Sequence, residues 1–172
     1  MIKNILLSTI LIVTFTTINF GQKVAIVDVA QILENLPEYI EAQSEIDKIS
    51  ANWQQEISQE YDKIKSMYNK YQAEQVLLSE EVKIEREEEI MGREKEVRDL
   101  QKKHFGPEGD LFRKRQELVS PIQDQVFTAI EKYAESKGFD IIFDKSGSAG
   151  LLYANSEYDK TEEVAKQLGI RN

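Results

Sequence analysis

The chain has 172 residues, of which 31 are acidic and 22 basic, giving a formal net charge of −9, and it contains no cysteine. The lack of cysteine excludes disulfide bonds, thiol nucleophiles and thiolate metal sites. The acidic balance argues against a nucleic-acid partner and against adhesion to an anionic membrane surface, because both need a basic footprint.

The N-terminus has the features of a secretory signal. A basic residue, Lys3, precedes an apolar stretch from Ile5 to Phe20, which is shorter than the about 20 apolar residues that span a membrane. We therefore predict that residues 1–21 form a cleaved signal peptide. Residues 22–172 then form one mature domain without stable membrane insertion. An uncleaved membrane anchor is the alternative.

The first predicted strand, from Val24 to Val29, is apolar on both faces and therefore needs cover on both sides. A turn or two of helix follows, up to Leu36. From about Glu38 to Leu78 the apolar residues step by three or four positions, which indicates a long helix with a narrow seam. Because Trp and Tyr replace the Leu and Ile of a tight zipper, we expect a loose two-helix hairpin. The seam residues are Ile46, Ile49, Trp53, Ile57, Tyr61, Ile64, Tyr68 and Tyr71.

The chain is expected to reverse direction at residues 75–80, where Ser79 can cap a second helix. The returning segment from Val82 is almost entirely charged. Two features interrupt it: Phe105–Gly109, which is rich in helix breakers, and Pro121, which removes a helical hydrogen bond and should bend the helix. This interruption favours a flexible clamp over a rigid strut. Two ion pairs at i,i+4 spacing support the helix: Glu89–Arg93 and Glu94–Arg98.

The C-terminal part of the chain contains short elements again. The fold class is therefore α+β: a small β-body from residues 22–36 and 138–172, and a protruding antiparallel helical arm from residues 37–137. The predicted C-terminal elements are a helix end at Gly138, strands Phe139–Asp144 and Leu151–Ala154 joined by a hairpin loop at Ser146–Gly150, and a last helix from Asp159–Glu162 to Leu168.

No residue pattern indicates an enzyme, and we expect no catalytic activity, no cofactor and no metal. The single histidine, His104, has neither a nucleophile nor a second histidine near it and is expected to be an exposed arm residue. The acidic run from Glu80 to Glu89 wraps round a helix, whereas a cation site needs oxygens that converge on one point. Asp140 and Asp144 share a strand face and are interpreted as strand-end charges rather than as an acid/base pair.

Basic residues concentrate on the returning segment of this acidic chain. They allow two interpretations: a surface for an acidic or partly unfolded partner, or ordinary ion pairs with the interleaved acids. The residues are Arg93, Lys95, Arg98, Lys102, Lys103, Arg113, Lys114 and Arg115.

The order of these elements behind a signal peptide resembles the Skp/OmpH family of periplasmic chaperones for outer-membrane proteins. The stretches that carry the resemblance are Val24–Asp28, Phe139–Asp144, Leu151–Ala154 and Tyr158–Gly169. The insert Phe105–Gly109, together with Pro121–Asp124, is similar to the branch of this family found in Bacteroidetes-type bacteria.

This resemblance implies a homotrimer whose strands form a shared β-body and whose three arms enclose a cavity. It also implies ATP-independent holding of unfolded outer-membrane β-barrel proteins in the periplasm. The well-known family member is basic whereas this chain is acidic, so no binding residues are transferred from it. The alternative from a different class is a structural or adaptor coiled-coil protein that bridges envelope components.

Two sets of residues are candidates for these roles. The predicted trimer core of the β-body consists of Val24, Ile26, Ile141 and Phe143. The predicted client-facing residues of the arm are Trp53, Tyr61, Tyr68, Tyr71, Arg93, Arg98, Lys102, Lys103 and Arg113.

Overall fold

A computed structural model of the chain describes residues 21–147 and 150–170. Residues 1–20, nearly all of the predicted signal peptide, lie outside the described ranges. None of the described helices combines the length and apolarity of a membrane span. The elements are β1 (Val24–Val27), α1 (Val29–Glu34), α2 (Pro37–Glu74), a 3-10 turn (Gln75–Leu77), α3 (Glu80–Phe105), α4 (Asp110–Lys137), β2 (Ile141–Asp144), a second 3-10 turn (Ser156–Tyr158) and α5 (Thr161–Gln167).

Helix α2 is the outgoing limb of the arm and runs for 38 residues without a break. It begins at Pro37, in the first turn, where the missing N–H of proline leaves no hydrogen bond unmade. The chain reverses at the first 3-10 turn, and the Ser79 Oγ caps α3 by accepting a hydrogen bond from the Val82 N–H at 3.5 Å. Helices α3 and α4 form the return limb. The predicted α+β class and the long antiparallel hairpin are confirmed.

The return limb is interrupted between α3 and α4. Gly106 ends α3 at a point where a Cβ atom would lie 2.3 Å from the Lys102 carbonyl oxygen. Gly109 then precedes the first residue of α4. The break predicted at Phe105–Gly109 is therefore confirmed, while α4 continues through Pro121 as one helix. Opposite the break, α2 is continuous and supports both halves of the return limb.

The return limb is longer than the outgoing one, since α3 and α4 contain 26 and 28 residues. The surplus belongs to the body, where Val126 and Tyr133 of α4 join the core formed with α1 and α5. Gly138, in the left-handed conformation with φ of 67°, ends α4 as predicted. The fully buried centre of the body core is made by Val27, Ile32, Leu36, Val126 and Val164.

The β-body contains a two-stranded parallel sheet in the described residues. Val24 lies opposite Ile141, and Ile26 lies opposite Phe143. These four residues lie on one face of the sheet. On the opposite face, Val27 and Ile142 pack on the body core. The free edge of β1 makes a single parallel bridge with Asp159.

Acidic side chains at the strand ends hold the body together by hydrogen bonds. The Asp140 carboxylate accepts from the Lys23 N–H at 2.7 Å, and the Asp144 carboxylate accepts from the Val29 N–H at the start of α1 at 3.2 Å. Burial raises the pKa of Asp144, but hydrogen bonds from Ser146 and Val29 outweigh it and hold the pKa below its ordinary value. These contacts agree with the interpretation of both acids as strand-end charges.

Two predictions for the body are wrong. Leu151–Ala154 forms no strand, and its side chains are open to solvent, with Leu152 98% exposed. A strand needs a neighbour for its backbone hydrogen bonds, and in the described chain the sheet contains only β1 and β2, so Leu151–Ala154 pairs with neither. Val29 begins a helix instead of ending a strand, because the Asp28 side chain caps it by accepting from the Gln31 N–H at 2.8 Å. The last helix is confirmed as α5.

Candidate functional site

The arm has its own narrow core, separate from the core of the body. Its fully packed positions recur every seven residues on both limbs, which is the spacing of coiled-coil contacts. Met67, Leu78, Leu100 and Phe105 pack against this core from the side. The two limbs of the hairpin therefore pack along a single row of buried residues, as expected for the predicted loose two-helix hairpin. The repeating positions are Ile57, Ile64 and Tyr71 on α2, and Ile90, Val97 and His104 on α3.

The predicted aromatic seam residues divide into buried and exposed members. Tyr71 is 9% exposed and donates a hydrogen bond from its hydroxyl to the Glu87 carboxylate. This bond, followed by burial and the charge of Glu87, raises the pKa of Tyr71. Tyr61 and Tyr68, by contrast, are 42% and 50% exposed. Of the three predicted client-facing tyrosines, these two have rings that are open to solvent.

At the break in the return limb, Trp53 from α2 stacks on His104 from α3. The ring centroids are 4.3 Å apart and the ring planes differ by 8°. Phe105 meets the Trp53 ring edge-on at 6.3 Å. We call Trp53, His104, Phe105 and Asp110 the junction, because these four residues join α2, α3 and α4. Trp53 is half-buried, and its ring packs between the two limbs of the arm.

The expectation that His104 is exposed is wrong: only 6% of its surface is accessible. Its Nδ1 atom is 2.8 Å from an Asp110 carboxylate oxygen, and its Nε2 atom is 3.9 Å from a Glu56 oxygen. Burial raises the pKa of Asp110, but hydrogen bonds from His104 and Arg113 outweigh this and leave the pKa below its ordinary value. The sequence signal for this burial is the seven-residue repeat that His104 continues from Ile90 and Val97.

Half of the predicted basic residues form ion pairs on the helix faces, namely Arg93, Arg98, Arg113 and Lys114. Arg93 pairs with Glu96 at 2.9 Å, and Arg113 pairs with Asp110. Lys114 pairs with Glu117 at 2.8 Å. Lys102 and Lys103 are exposed in the last turn of α3, where a positive charge interacts favourably with the helix dipole. The interpretation as ordinary ion pairs therefore accounts for much of this set.

The two ion pairs predicted at i,i+4 spacing have different outcomes. Glu94 pairs with Arg98 at 3.4 Å, as predicted. Glu89 pairs with Arg86 at 2.9 Å rather than with Arg93, so this second prediction is wrong. All these pairs are solvent-exposed, so each contributes little to the stability of the arm.

The arm carries large apolar side chains on its surface although its helices are rich in charge. The first 3-10 turn at the tip contributes Val76 and Leu77, which are each 84% exposed. Ile84 and Met91 of α3 are 55% and 57% exposed. Together with the two exposed tyrosines, they make the outer part of the arm the main apolar surface outside the body.

The four predicted trimer-core residues lie on one face of the two-stranded sheet, as their register requires. Ile141 and Phe143 are 39% and 42% exposed, whereas Val24 is half-buried and Ile26 is buried within the chain itself. Across residues 21–147 and 150–170, no group of His, Asp and Glu side chains is arranged to hold a metal ion.

Fold and surface together define a class of protein that projects a long helical arm with exposed apolar side chains from a small β-body. The family model described as Outer membrane protein (OmpH-like) matches residues 23–168. The chain belongs to this OmpH-like family.

The solved structures that are similar in fold include a putative outer membrane chaperone (OmpH-like) from Caulobacter crescentus. The TM-score is 0.72 at 11% sequence identity, and the match covers 86% of this chain and 84% of that chain. At this identity the similarity shows the fold alone. No curated protein matches the chain in sequence.

Proposed function

We propose that this chain is a periplasmic holdase chaperone, which binds unfolded outer-membrane β-barrel proteins without ATP and prevents their aggregation. The observation that supports this proposal most directly is the exposure of apolar side chains on the otherwise charged helices of the outer arm. These residues are Tyr61, Tyr68, Ile84 and Met91. Clusters of exposed apolar side chains are typical of interaction sites. Membership in the OmpH-like family and the chaperone title of the structural neighbour support the proposal.

The proposal includes a homotrimer built on the β-body. Ile141 and Phe143 expose an apolar sheet face, and Leu152 and Tyr153 stand open to solvent beside an unpaired backbone segment. Multi-angle light scattering of the mature chain should give three times its monomer mass, and Phe143→Asp should lower that mass. A monomeric wild type at micromolar concentration would remove the trimer from the proposal.

The holdase function is tested with an outer-membrane β-barrel protein diluted from urea. The mature chain, without nucleotide, should suppress light scattering by the diluted barrel protein in proportion to its own concentration. Bovine serum albumin at equal mass controls for nonspecific protection. If scattering is unchanged at an excess of the chain, the holdase proposal fails and the adaptor function, in which the arms bridge envelope components, becomes the better explanation.

A further inference from the structure

The exposed apolar residues of the outer arm lie on one face, as helix geometry shows. An α-helix advances about 100° per residue, so a step of four residues adds about 40° to a full turn. On α2, Tyr61 and Tyr68 follow the seam residues Ile57 and Ile64 by four positions. They therefore lie just beside the seam, rotated from it by about 40° in the direction in which the helix advances. We call this direction the positive sense.

The exposed residues of α3 are rotated in the same sense. Met91 follows the seam residue Ile90 by one position, and Ile84 precedes it by six, which place them at about 100° and about 120° from the seam. Because α2 and α3 are antiparallel, equal senses of rotation bring side chains to the same side of the hairpin. We call Tyr61, Tyr68, Ile84 and Met91 the open face.

A small cavity gives an independent check of this assignment. It has a volume of about 170 Å³. The residues that line it include Lys70 and Glu74 of α2 and Arg86 and Glu89 of α3, all of which are rotated from the seam in the negative sense. These residues therefore share the opposite side, which we call the packed face. On that side Met67 and Leu100 are partly buried against the arm core, so the two faces of one hairpin differ in exposure.

We propose that the open face binds apolar segments of an unfolded polypeptide, by nonpolar contact rather than by charge. This inference rests on the proposed holdase function and assigns its binding surface. From the level of Tyr61 to the tip at Leu77 the face is about 24 Å long at 1.5 Å per residue, which accommodates about seven residues of extended chain. Segments of an outer-membrane barrel strand present an apolar side chain at every second position.

The charges of the arm favour this occupant over a second copy of the arm. The start of α3 is strongly acidic, so two outer arms brought together would repel each other. Beside the open face, Arg98 pairs with Glu94, whereas the exposed Lys95 has no ion pair in the described residues, and the chain as a whole has a net charge of −9. An attraction based on free positive charge is therefore weak, and binding should persist at high ionic strength. The acidic residues are Glu80, Glu81, Glu85, Glu87, Glu88 and Glu89.

The test compares two double variants with matched exposure. The first, Tyr68→Gln with Met91→Gln, removes apolar surface that is 50% and 57% exposed from the open face. The control, Ile40→Gln with Phe127→Gln, removes apolar surface that is 55% exposed at both positions, outside the outer arm. Gln is a good helix former, so both variants should fold, which circular dichroism melting verifies.

The readout is the dissociation constant for a fluorescently labelled outer-membrane barrel protein diluted from urea. The open-face variant should bind about tenfold more weakly, a loss of about 1.4 kcal/mol, whereas the control should change by less than about twofold. Wild-type affinity should fall by less than about threefold between roughly 0.05 M and 0.5 M salt.

The outcomes separate this inference from the proposed function. If the wild-type chain does not bind the barrel protein, the holdase function itself fails. If the wild type binds and the two double variants weaken binding equally, the open face is not the binding surface. A steep loss of wild-type affinity with salt would overturn nonpolar recognition and assign binding to charge.

Discussion

The junction and the open face are two regions of one arm that use aromatic residues in opposite ways. At the junction, Trp53 is covered by His104 and Phe105, and three helices share the contact. On the open face, Tyr61 and Tyr68 lie on the other side of the α2 seam, since they follow seam residues by four positions whereas Trp53 precedes Ile57 by four, and they are 42% and 50% exposed. The aromatic residues of the two regions therefore lie on opposite sides of the α2 seam, and the return limb covers only the side on which Trp53 lies.

This difference assigns separate roles to the two regions. The junction connects an interrupted return limb to a continuous outgoing limb, so its residues should control stability. The open face contributes little packing, so its residues should control binding. Substitutions in each region test this division.

Removal of the indole at the junction should have the largest effect. We expect Trp53→Ala to lower the free energy of unfolding by about 3 kcal/mol, the lower end for a large aromatic, because Trp53 is only half-buried. Urea denaturation followed by circular dichroism at 222 nm measures it. A loss below about 0.5 kcal/mol would show that the junction does not hold the arm together.

Two glycines of the return limb should respond in opposite directions to the same substitution. Gly106→Ala places a Cβ atom 2.3 Å from the Lys102 carbonyl oxygen and should cost about 2 kcal/mol, since backbone must move. Gly92→Ala, in the outer arm, meets no atom within 4 Å and should stabilise α3 by about 0.8 kcal/mol. Thermal denaturation of both variants provides the comparison. Equal effects would contradict a tightly fitted junction.

Acid should weaken the junction through Asp110. Because the folded-state pKa of Asp110 is below its ordinary value of 3.8, its contribution is fully present above pH 3.8 and is lost as pH falls through the folded-state value. The fluorescence of Trp53, the only tryptophan, reports this change during a titration below about pH 4. Asp110→Asn should be less stable at neutral pH and less sensitive to acid in this window. An unchanged acid titration in the variant would exclude Asp110 as the cause.

The open face should show the smallest effect on stability. We expect Tyr68→Gln to change the free energy of unfolding by no more than about 0.5 kcal/mol, because half of its surface is already exposed. The matched comparison is Tyr71→Gln, which removes a buried ring and should destabilise the arm clearly. Denaturation in urea measures both. A large loss for Tyr68→Gln would mean that this residue belongs to the arm core.

The elements that follow from local chemistry were predictable from the sequence. The long seam of α2, the cap at Ser79 and the break at Phe105–Gly109 depend on spacing and on residue type alone, and the structure confirms them. The burial of His104 follows from the seven-residue repeat that it shares with Ile90 and Val97, whereas its stacking on Trp53 was not predictable, because it depends on a distant residue meeting the break in register. Leu151–Ala154 has strand-like residues, but a strand also requires a backbone partner, which sequence patterns do not supply.

The open face was predictable in part. The sequence identified Tyr61 and Tyr68 as arm aromatics but treated them as equivalent to Trp53 and Tyr71. The hairpin separates them, since one seam buries only the positions that repeat every seven residues. The exposed residues of α3, Ile84 and Met91, have no such signal in a segment that is almost entirely charged.

Site-specific photo-crosslinking tests the central claim, that one face of the arm binds unfolded polypeptide, most directly. A benzophenone amino acid replaces either Tyr68 on the open face or Lys70 on the packed face, two exposed positions of one helix. With an outer-membrane barrel protein diluted from urea, we expect strong crosslinks to that protein from position 68 and weak ones from position 70. Equal crosslinking from both positions, or crosslinks from position 68 to another copy of the chain alone, would contradict the claim.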